Sequence, residues 1–249
     1  MTSITLIHGM YVTAASWQPW LDRAKAAGIG VKTIEWPGHE GTASDLRGSI
    51  RPELCNLNYG ELVDLHAQAI GDEDTVLVGH SIGGLLVQSL LARGVGAAGV
   101  AICPAPPQGT LSLRADFVRA NFPHTLAHKR STPLEMDKER WRYCFANTLT
   151  QAAADAAWEQ YCVPESRAVP LGIFTKQGAV KAASLTQPLL VFGASNDHLI
   201  PASLSKRIAK RYASAEYRER VGHGHLICNE PGWEGLADEI FGWAAERSN

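Results

Sequence analysis

The sequence predicts an α/β fold with a mostly parallel central sheet flanked by helices. Two observations support this fold class. Short runs that are apolar on both faces, each bounded by Gly or Pro, recur along the chain, and strands buried on both faces of a parallel sheet show this pattern. Longer helical patterns alternate with these runs, which favours right-handed crossovers that return each strand to the same sheet.

The predicted elements follow in chain order. Strands are expected at Ile4–His8, Val31–Trp36, Thr75–Gly79, Gly99–Cys103 and Leu189–Gly193. Helices are expected at Ser16–Ala27, Tyr59–Ile70, Gly84–Arg93, Ala202–Tyr212 and Trp233–Ala245. The alternation stops between about Pro106 and Gln187, where helix-like stretches rich in aromatic residues contain no convincing strand. We therefore interpret residues 106–187 as a helical cap inserted into a core formed by residues 1–105 and 188–249.

Composition excludes several classes of partner. The 249 residues include 23 Lys and Arg against 25 Asp and Glu, so there is no basic excess with which to bind nucleic acid. No stretch approaches the roughly 20 apolar residues that a membrane span needs, and the first residues lack the basic region of a signal peptide. The five cysteines have neither zinc-ligand nor C-x-x-C spacing, which favours reduced thiols in a cytoplasmic protein.

The sharpest local signal is the pattern G-x-S-x-G at residues 79–83. An apolar strand precedes it and an apolar helix follows it, which is the context that a nucleophile elbow requires. The tight turn forces the central residue, Ser81, into a strained backbone conformation, and the flanking glycines relieve the crowding. Unbonded N–H groups at the start of the next helix favour negative charge beside Ser81. Ser81 is therefore the predicted nucleophile.

Three further motifs accompany this elbow. The first strand ends in His8-Gly9-Met10, the last predicted strand leads into a loop at residues 194–201 that contains Asp197, and a Gly-His pair at 224–225 precedes Glu-Pro at 230–231. Together with the elbow, and in the order Ser, Asp, His, these motifs resemble the α/β-hydrolase superfamily over most of the chain. The resemblance implies an α/β-hydrolase fold with a helical cap.

The resemblance also implies a role for each residue. A serine hydroxyl needs a base within hydrogen-bond reach, and His225 is the predicted base. Asp197 is expected to orient that histidine and to stabilise its charged form. The backbone N–H groups of Met10 and Ile82 are expected to form the oxyanion hole.

Two alternatives concern these assignments. His223 competes with His225 for the role of base, although His225 stands closer to the Glu-Pro pair, as the family pattern requires. The two histidines could instead chelate a metal, but no accompanying acidic or cysteine motif supports a metal site. Some family members carry the acid after the middle strand, where this chain has Cys103-Pro104-Ala105 and no carboxylate, which supports Asp197.

These roles predict a serine esterase that works through an acyl-enzyme and needs no cofactor. The expected substrate is a small to medium uncharged carboxylic ester, held in an apolar pocket to which Trp158 and Tyr161 of the cap contribute. The cap aromatics could instead form the cap's own core. The same fold and triad also support lactone, thioester or C–C bond hydrolysis, and some members of the superfamily are small-molecule receptors with little turnover.

Overall fold

The computed structural model describes residues 3–126 and 133–247, apart from the side chains of residues 55 and 122–126. Within these ranges six strands form one sheet in the order β2-β1-β3-β4-β5-β6, and every neighbouring pair is parallel. The predicted α/β fold class is therefore confirmed. The strands are β1 (Ser3–Ile7), β2 (Gly30–Ile34), β3 (Val76–His80), β4 (Ala98–Ile102), β5 (Leu189–Ala194) and β6 (Ala215–Arg220).

Helices connect the strands and cover both faces of the sheet. In the described ranges the α-helices are α1 (Gln18–Ala26), α2 (Ala43–Gly48), α3 (Pro52–Asn56), α4 (Tyr59–Ile70), α5 (Ile82–Leu91), α6 (Ala115–Leu126), α7 (Lys138–Cys144), α8 (Gln151–Tyr161), α9 (Ala168–Ile173), α10 (Ala202–Ala209) and α11 (Trp233–Ala245). Short 3₁₀ helices occupy Ala14–Trp17, Lys176–Gly178 and Ala182–Ser184. Among the described residues, no helix combines the length and apolarity needed to cross a bilayer.

The core lies in two layers, one on each face of the sheet. Alternate residues of a strand enter opposite layers, so that Val76 and Val78 pack with α1 and α11 while Leu77 packs with α4, α5 and α10. In the first layer the indole of Trp20 is fully buried and donates a hydrogen bond of 2.9 Å to the carbonyl of Cys228. This bond satisfies the polar tip of a large apolar side chain and ties α1 to the loop before α11.

The described part of residues 106–187 contributes no strand to the six-stranded sheet. It contains helices α6 to α9, and an isolated antiparallel bridge joins Leu134 to Glu165. This arrangement is compatible with an inserted helical cap, but the division of the chain into core and cap remains a prediction.

Parallel strands place their carboxyl ends along one edge of the sheet, which is where open α/β sheets bind ligands. Met10 follows β1, Ser81 follows β3, and Cys103 follows β4. Asp197 and His225 follow β5 and β6 at the same edge. Topology therefore brings together residues that lie far apart in the sequence.

Candidate active site

Ser81 occupies a strained turn between β3 and α5. Its φ is 57° and its ψ is −117°, in a region that residues with side chains rarely adopt. Neighbouring glycines make the turn possible, because a Cβ on Gly79 would lie 2.1 Å from the carbonyl oxygen of Gly83, and one on Gly83 would lie 2.3 Å from that of Ile7. The Ser81 amide donates to the Ile102 carbonyl at 2.9 Å. This hydrogen bond ties the backbone of Ser81 to β4, while the chain continues directly from Ser81 into α5.

Asp197 and His225 form a buried pair at the same edge of the sheet. The distance from Nδ1 of His225 to Oδ2 of Asp197 is 2.6 Å, and both side chains are fully buried. The second carboxylate oxygen of Asp197 accepts the amide of Ile200 at 2.8 Å. Nε2 of His225 is buried and has no hydrogen-bond partner in the described chain. The carboxylate therefore holds one ring nitrogen and leaves the other available to receive a proton.

His80 packs against the His225 ring and contacts its backbone. His80 lies with its ring centroid 4.7 Å from that of His225, and its Nε2 is 2.8 Å from the His225 carbonyl oxygen. Burial and the proximity of His225 lower the pKa of His80 well below its ordinary value. His80 is therefore neutral at pH 7 and can donate its Nε2 proton to that carbonyl.

Cys103, which was not predicted to be a site residue, lies next to the Asp197–His225 pair. The Cys103 sulfur, a carboxylate oxygen of Asp197 and a ring nitrogen of His225 lie within 4.8 Å of one another, and Cys103 has a φ of 43°. Burial, followed by the charge of Asp197, raises the pKa of the Cys103 thiol well above its ordinary value. A neutral thiol at this position can donate to the Asp197 carboxylate.

The competing histidine has a different acidic partner. Nδ1 of His223 lies 2.8 Å from Oε1 of Glu230, which also accepts the Gly224 amide at 2.9 Å. Thr148 donates to the other oxygen of the same carboxylate. The structure therefore brings His225, and not His223, to Asp197.

The two predicted oxyanion donors lie beside the serine. Met10 and Ile82 border the same cavity as Ser81. Within the described chain, neither backbone amide donates a hydrogen bond to another residue. Two unbonded N–H groups next to a serine are what an oxyanion hole needs.

A cavity of about 360 Å³ opens over Ser81. Its described lining is mainly apolar, and Arg140 is the one charged residue in it. Phe145 connects the cavity to the histidine, because its ring also packs edge-on against His225 at a centroid distance of 5.0 Å. Other apolar lining residues are Leu111, Phe117, Leu134, Met136, Leu171, Ile173, Phe174, Leu199 and Ile200.

Trp158 and Tyr161 are not among the described residues that line this cavity. The Trp158 indole donates to the Met136 carbonyl at 2.7 Å, and the guanidinium of Arg47 lies 4.3 Å from its ring centroid. These contacts fit the alternative in which cap aromatics form the cap's own core. The predicted contact of the two side chains with substrate gains no support from this cavity.

Comparison with known proteins identifies the family. The profile of the Alpha/beta hydrolase family matches residues 6–239, so the chain belongs to this family. A monoacylglycerol lipase from Mycolicibacterium smegmatis is 25% identical over 244 residues, which cover 96% of this chain and 86% of that protein. The crystal structure of a Paleococcus ferrophilus monoacylglycerol lipase matches with a TM-score of 0.70 and 19% identity over 99% of this chain and 95% of that one. An extracellular alpha/beta-hydrolase from a Paenibacillus species matches with a TM-score of 0.72 and 21% identity over 97% and 98% of the two chains.

Proposed function

We propose that this protein is a serine hydrolase that cleaves carboxylic esters, with Ser81, His225 and Asp197 as its catalytic triad. One observation carries the proposal: a strained serine borders an apolar cavity at the sheet edge where an Asp–His pair of 2.6 Å is buried. The family supports hydrolysis as the reaction. The names of the M. smegmatis and P. ferrophilus relatives, both lipases, support an ester as the bond that is cleaved.

The proposed reaction has two steps. His225 accepts the hydroxyl proton of Ser81 as its oxygen attacks the ester carbonyl, and the amides of Met10 and Ile82 stabilise the oxyanion. His225 then donates the proton to the leaving alkoxide, which departs as the alcohol. Water attacks the acyl-enzyme with His225 again as base, releasing the acid and restoring Ser81. Asp197 holds the tautomer of His225 in which Nε2 can accept a proton.

The cavity supports a substrate of small to medium size that is predominantly apolar. Its volume of about 360 Å³ lies at the small end of the roughly 300–1,000 Å³ range of ligand pockets. Its lining offers Leu, Ile, Met and Phe side chains for an acyl chain or an aromatic ring. These features favour an uncharged ester as the substrate class.

The proposal is tested with a panel of p-nitrophenyl esters of increasing acyl length. Wild type should hydrolyse at least the shorter members, and Ser81→Ala should lose several orders of magnitude in kcat. Ser184→Ala, at an exposed position, is the matched control and should retain wild-type kcat. A fluorophosphonate probe should label wild type and Ser184→Ala but not Ser81→Ala.

Two results would contradict the proposal. If Ser81→Ala kept wild-type kcat, the nucleophile would be another residue. If wild type neither hydrolysed any ester nor reacted with the fluorophosphonate, ester hydrolysis would be rejected, and C–C substrates and ligand binding without turnover would be tested next.

A further inference from the structure

A buried carboxylate outside the proposed triad contacts the loop that carries Met10. Glu165 lies on the segment between α8 and α9, and its side chain is fully buried. Its Oε2 lies 3.3 Å from the amide of Tyr11 and 3.2 Å from Nε2 of His39, and its Oε1 accepts the amide of Ser166 at 2.7 Å. Three donors from three parts of the chain therefore converge on one carboxylate.

His39 is the charge partner of this carboxylate. Its side chain is also fully buried. Burial opposes the charged form of His39, but the Glu165 carboxylate and, to a smaller extent, that of Glu35 favour it, and the pKa of His39 is raised above its ordinary value. A buried carboxylate without such partners would be strongly disfavoured. His39 therefore stabilises the buried side chain of Glu165, whose Oε2 also lies within hydrogen-bond distance of the Tyr11 amide.

Tyr11 is the residue that needs this acceptor. Its φ is 65°, a left-handed conformation that is unfavourable for a bulky side chain and persists only where the surroundings enforce it. Two hydrogen bonds hold the residue, one from its amide to Glu165 and one from the Val163 amide to its carbonyl at 3.0 Å. Both bonds involve residues 163–165, so one short segment holds Tyr11 from both sides.

We propose that Glu165 is a positioning residue for the oxyanion hole. Met10 and Tyr11 share a peptide unit, so holding the backbone of Tyr11 restricts rotation about the backbone bonds of Met10. The amide of Met10 can then remain in place beside Ser81 when the oxyanion forms. This inference rests on the proposed ester hydrolysis and assigns a function to a residue that does not touch the substrate.

The expected effect follows from the geometry that an oxyanion hole requires. Its donors must lie roughly 2.7–3.1 Å from the oxyanion, and removing one donor from such a site lowers kcat by about 10²–10³-fold. Loss of the Glu165 anchor displaces a donor without removing it. A decrease in kcat of about 10- to 100-fold, with little change in KM, is therefore expected.

Glu165→Gln is the informative variant. An amide side chain has one acceptor oxygen where the carboxylate has two. If that oxygen keeps the Ser166 amide, the NH₂ group faces the Tyr11 amide and the anchor is lost. Glu159→Gln is the matched control, because Glu159 lies on neighbouring α8, is more than half exposed and pairs with Arg47 and Lys138.

The readouts are kcat and KM for the best p-nitrophenyl ester, and inhibition by an aliphatic trifluoromethyl ketone. The Ser81 oxygen adds to the ketone carbon, the carbonyl π electrons move to oxygen, and His225 takes the serine proton, so the adduct carries an oxyanion. Glu165→Gln should weaken trifluoromethyl ketone binding by the same factor as kcat. Binding of the unfluorinated ketone, which forms no stable adduct, should stay within about twofold of wild type.

Two further variants separate positioning from stability. His39→Gln keeps a donor toward Glu165 and leaves the Tyr11 bond intact, so it should lower Tm while kcat stays within about threefold. Glu165→Asp keeps the charge but is one methylene shorter, so it should lower kcat even if Glu165→Gln fails to fold.

Each remaining outcome has a defined meaning. Wild-type kcat in both Glu165 variants would overturn the inference while leaving ester hydrolysis intact. An equal loss of affinity for both ketones, or a loss of kcat in His39→Gln as large as in Glu165→Gln, would also overturn it. A wild type that neither hydrolyses esters nor forms the adduct would overturn the proposed function and this inference with it.

Discussion

Replacing Asp197 by Asn tests the proposed triad most directly, because the structure dictates how the new amide must turn. In the wild type one carboxylate oxygen accepts the Ile200 amide at 2.8 Å and the other lies 2.6 Å from Nδ1 of His225. In Asp197→Asn the side-chain carbonyl must keep the Ile200 amide, since its NH₂ group cannot accept that bond. The NH₂ group then faces His225, which must accept with Nδ1 and carry its own proton on Nε2. A histidine in that tautomer cannot receive the Ser81 proton.

The size of the effect has two parts. Turning the Asn the productive way would leave the Ile200 amide unsatisfied at a cost of about 1–3 kcal/mol, so orientation alone lowers the active fraction by roughly 5- to 150-fold. Loss of the negative charge beside the imidazolium adds to this. We expect kcat to fall by about 10⁴-fold, or roughly 5.4 kcal/mol, as in the equivalent change in serine proteases. Tm should change little because the two side chains have the same shape.

The assay measures kcat on the best p-nitrophenyl ester together with Tm. Asp155→Asn is the control, because Asp155 of α8 pairs with Arg142 of α7, and its kcat should match wild type. A kcat for Asp197→Asn within tenfold of wild type, at an unchanged Tm, would refute the assignment of Asp197 as the acid.

Four other predictions follow from the same structure. His225→Ala should lower kcat by at least about 10⁴-fold, whereas His223→Ala should stay within about tenfold of wild type; the reverse result in steady-state kinetics would exchange their roles. Trp158→Leu should lower Tm by several degrees in a thermal scan and leave KM unchanged, because Trp158 is not among the described residues that line the cavity and its indole donates to the backbone carbonyl of Met136; an altered KM at wild-type Tm would restore it as a substrate contact. Leu171→Trp should shift the p-nitrophenyl ester preference to shorter acyl chains, because Leu171 lines the cavity, and an unchanged profile would contradict that lining. Burial lowers the pKa of His66 to about 4. The neutral, buried His66 therefore contributes fully to stability above the unfolded pKa of about 6.5, and this contribution is lost as pH falls toward 4. Denaturant titrations should show the free energy of unfolding of wild type falling by up to about 3 kcal/mol over this range, and His66→Gln should lack this decrease.

The buried strands were predictable because each of them is apolar on both faces. The predicted bounds of β1, β3, β4 and β5 differ from those observed by about one residue. β2, a partly exposed edge strand, was also predicted, and it ends two residues earlier than predicted. A strand between two helical layers has no solvent-facing side, so its signal does not depend on periodicity. Gly and Pro at the ends of these runs supplied the boundaries.

The sixth strand was missed for the opposite reason. β6, Ala215–Arg220, lies at the edge of the sheet, and among the described residues it pairs with β5 alone. Four of its six residues are charged, and two of them, Arg218 and Arg220, pair with Glu239 of α11. Charges discourage edge-to-edge pairing with other molecules, but they also remove the apolar pattern from which a strand is predicted.

Within the candidate site, the local motifs were informative and the cavity was not. Ser81, Asp197 and His225 each stand in a short pattern whose glycines and prolines are required by a turn, and the structure brings the last two into contact. The cavity lining comes from segments spread from Met10 to Ile200 and has no such pattern. Aromatic content alone pointed to Trp158, but an aromatic side chain in a helical segment packs equally well into a core.

Glu165 shows why the residues that support a site are harder to predict than those that react. Its partners Tyr11 and His39 are 154 and 126 residues away in the sequence, and neither distance has a periodic meaning. A nucleophile elbow constrains the residues on either side of the serine, and therefore leaves a motif. An anchoring carboxylate needs only to reach its donors and to have a charge partner, which any segment that passes nearby can provide. Only the fold shows that His39, on the segment after β2, is the partner of the carboxylate that holds Tyr11.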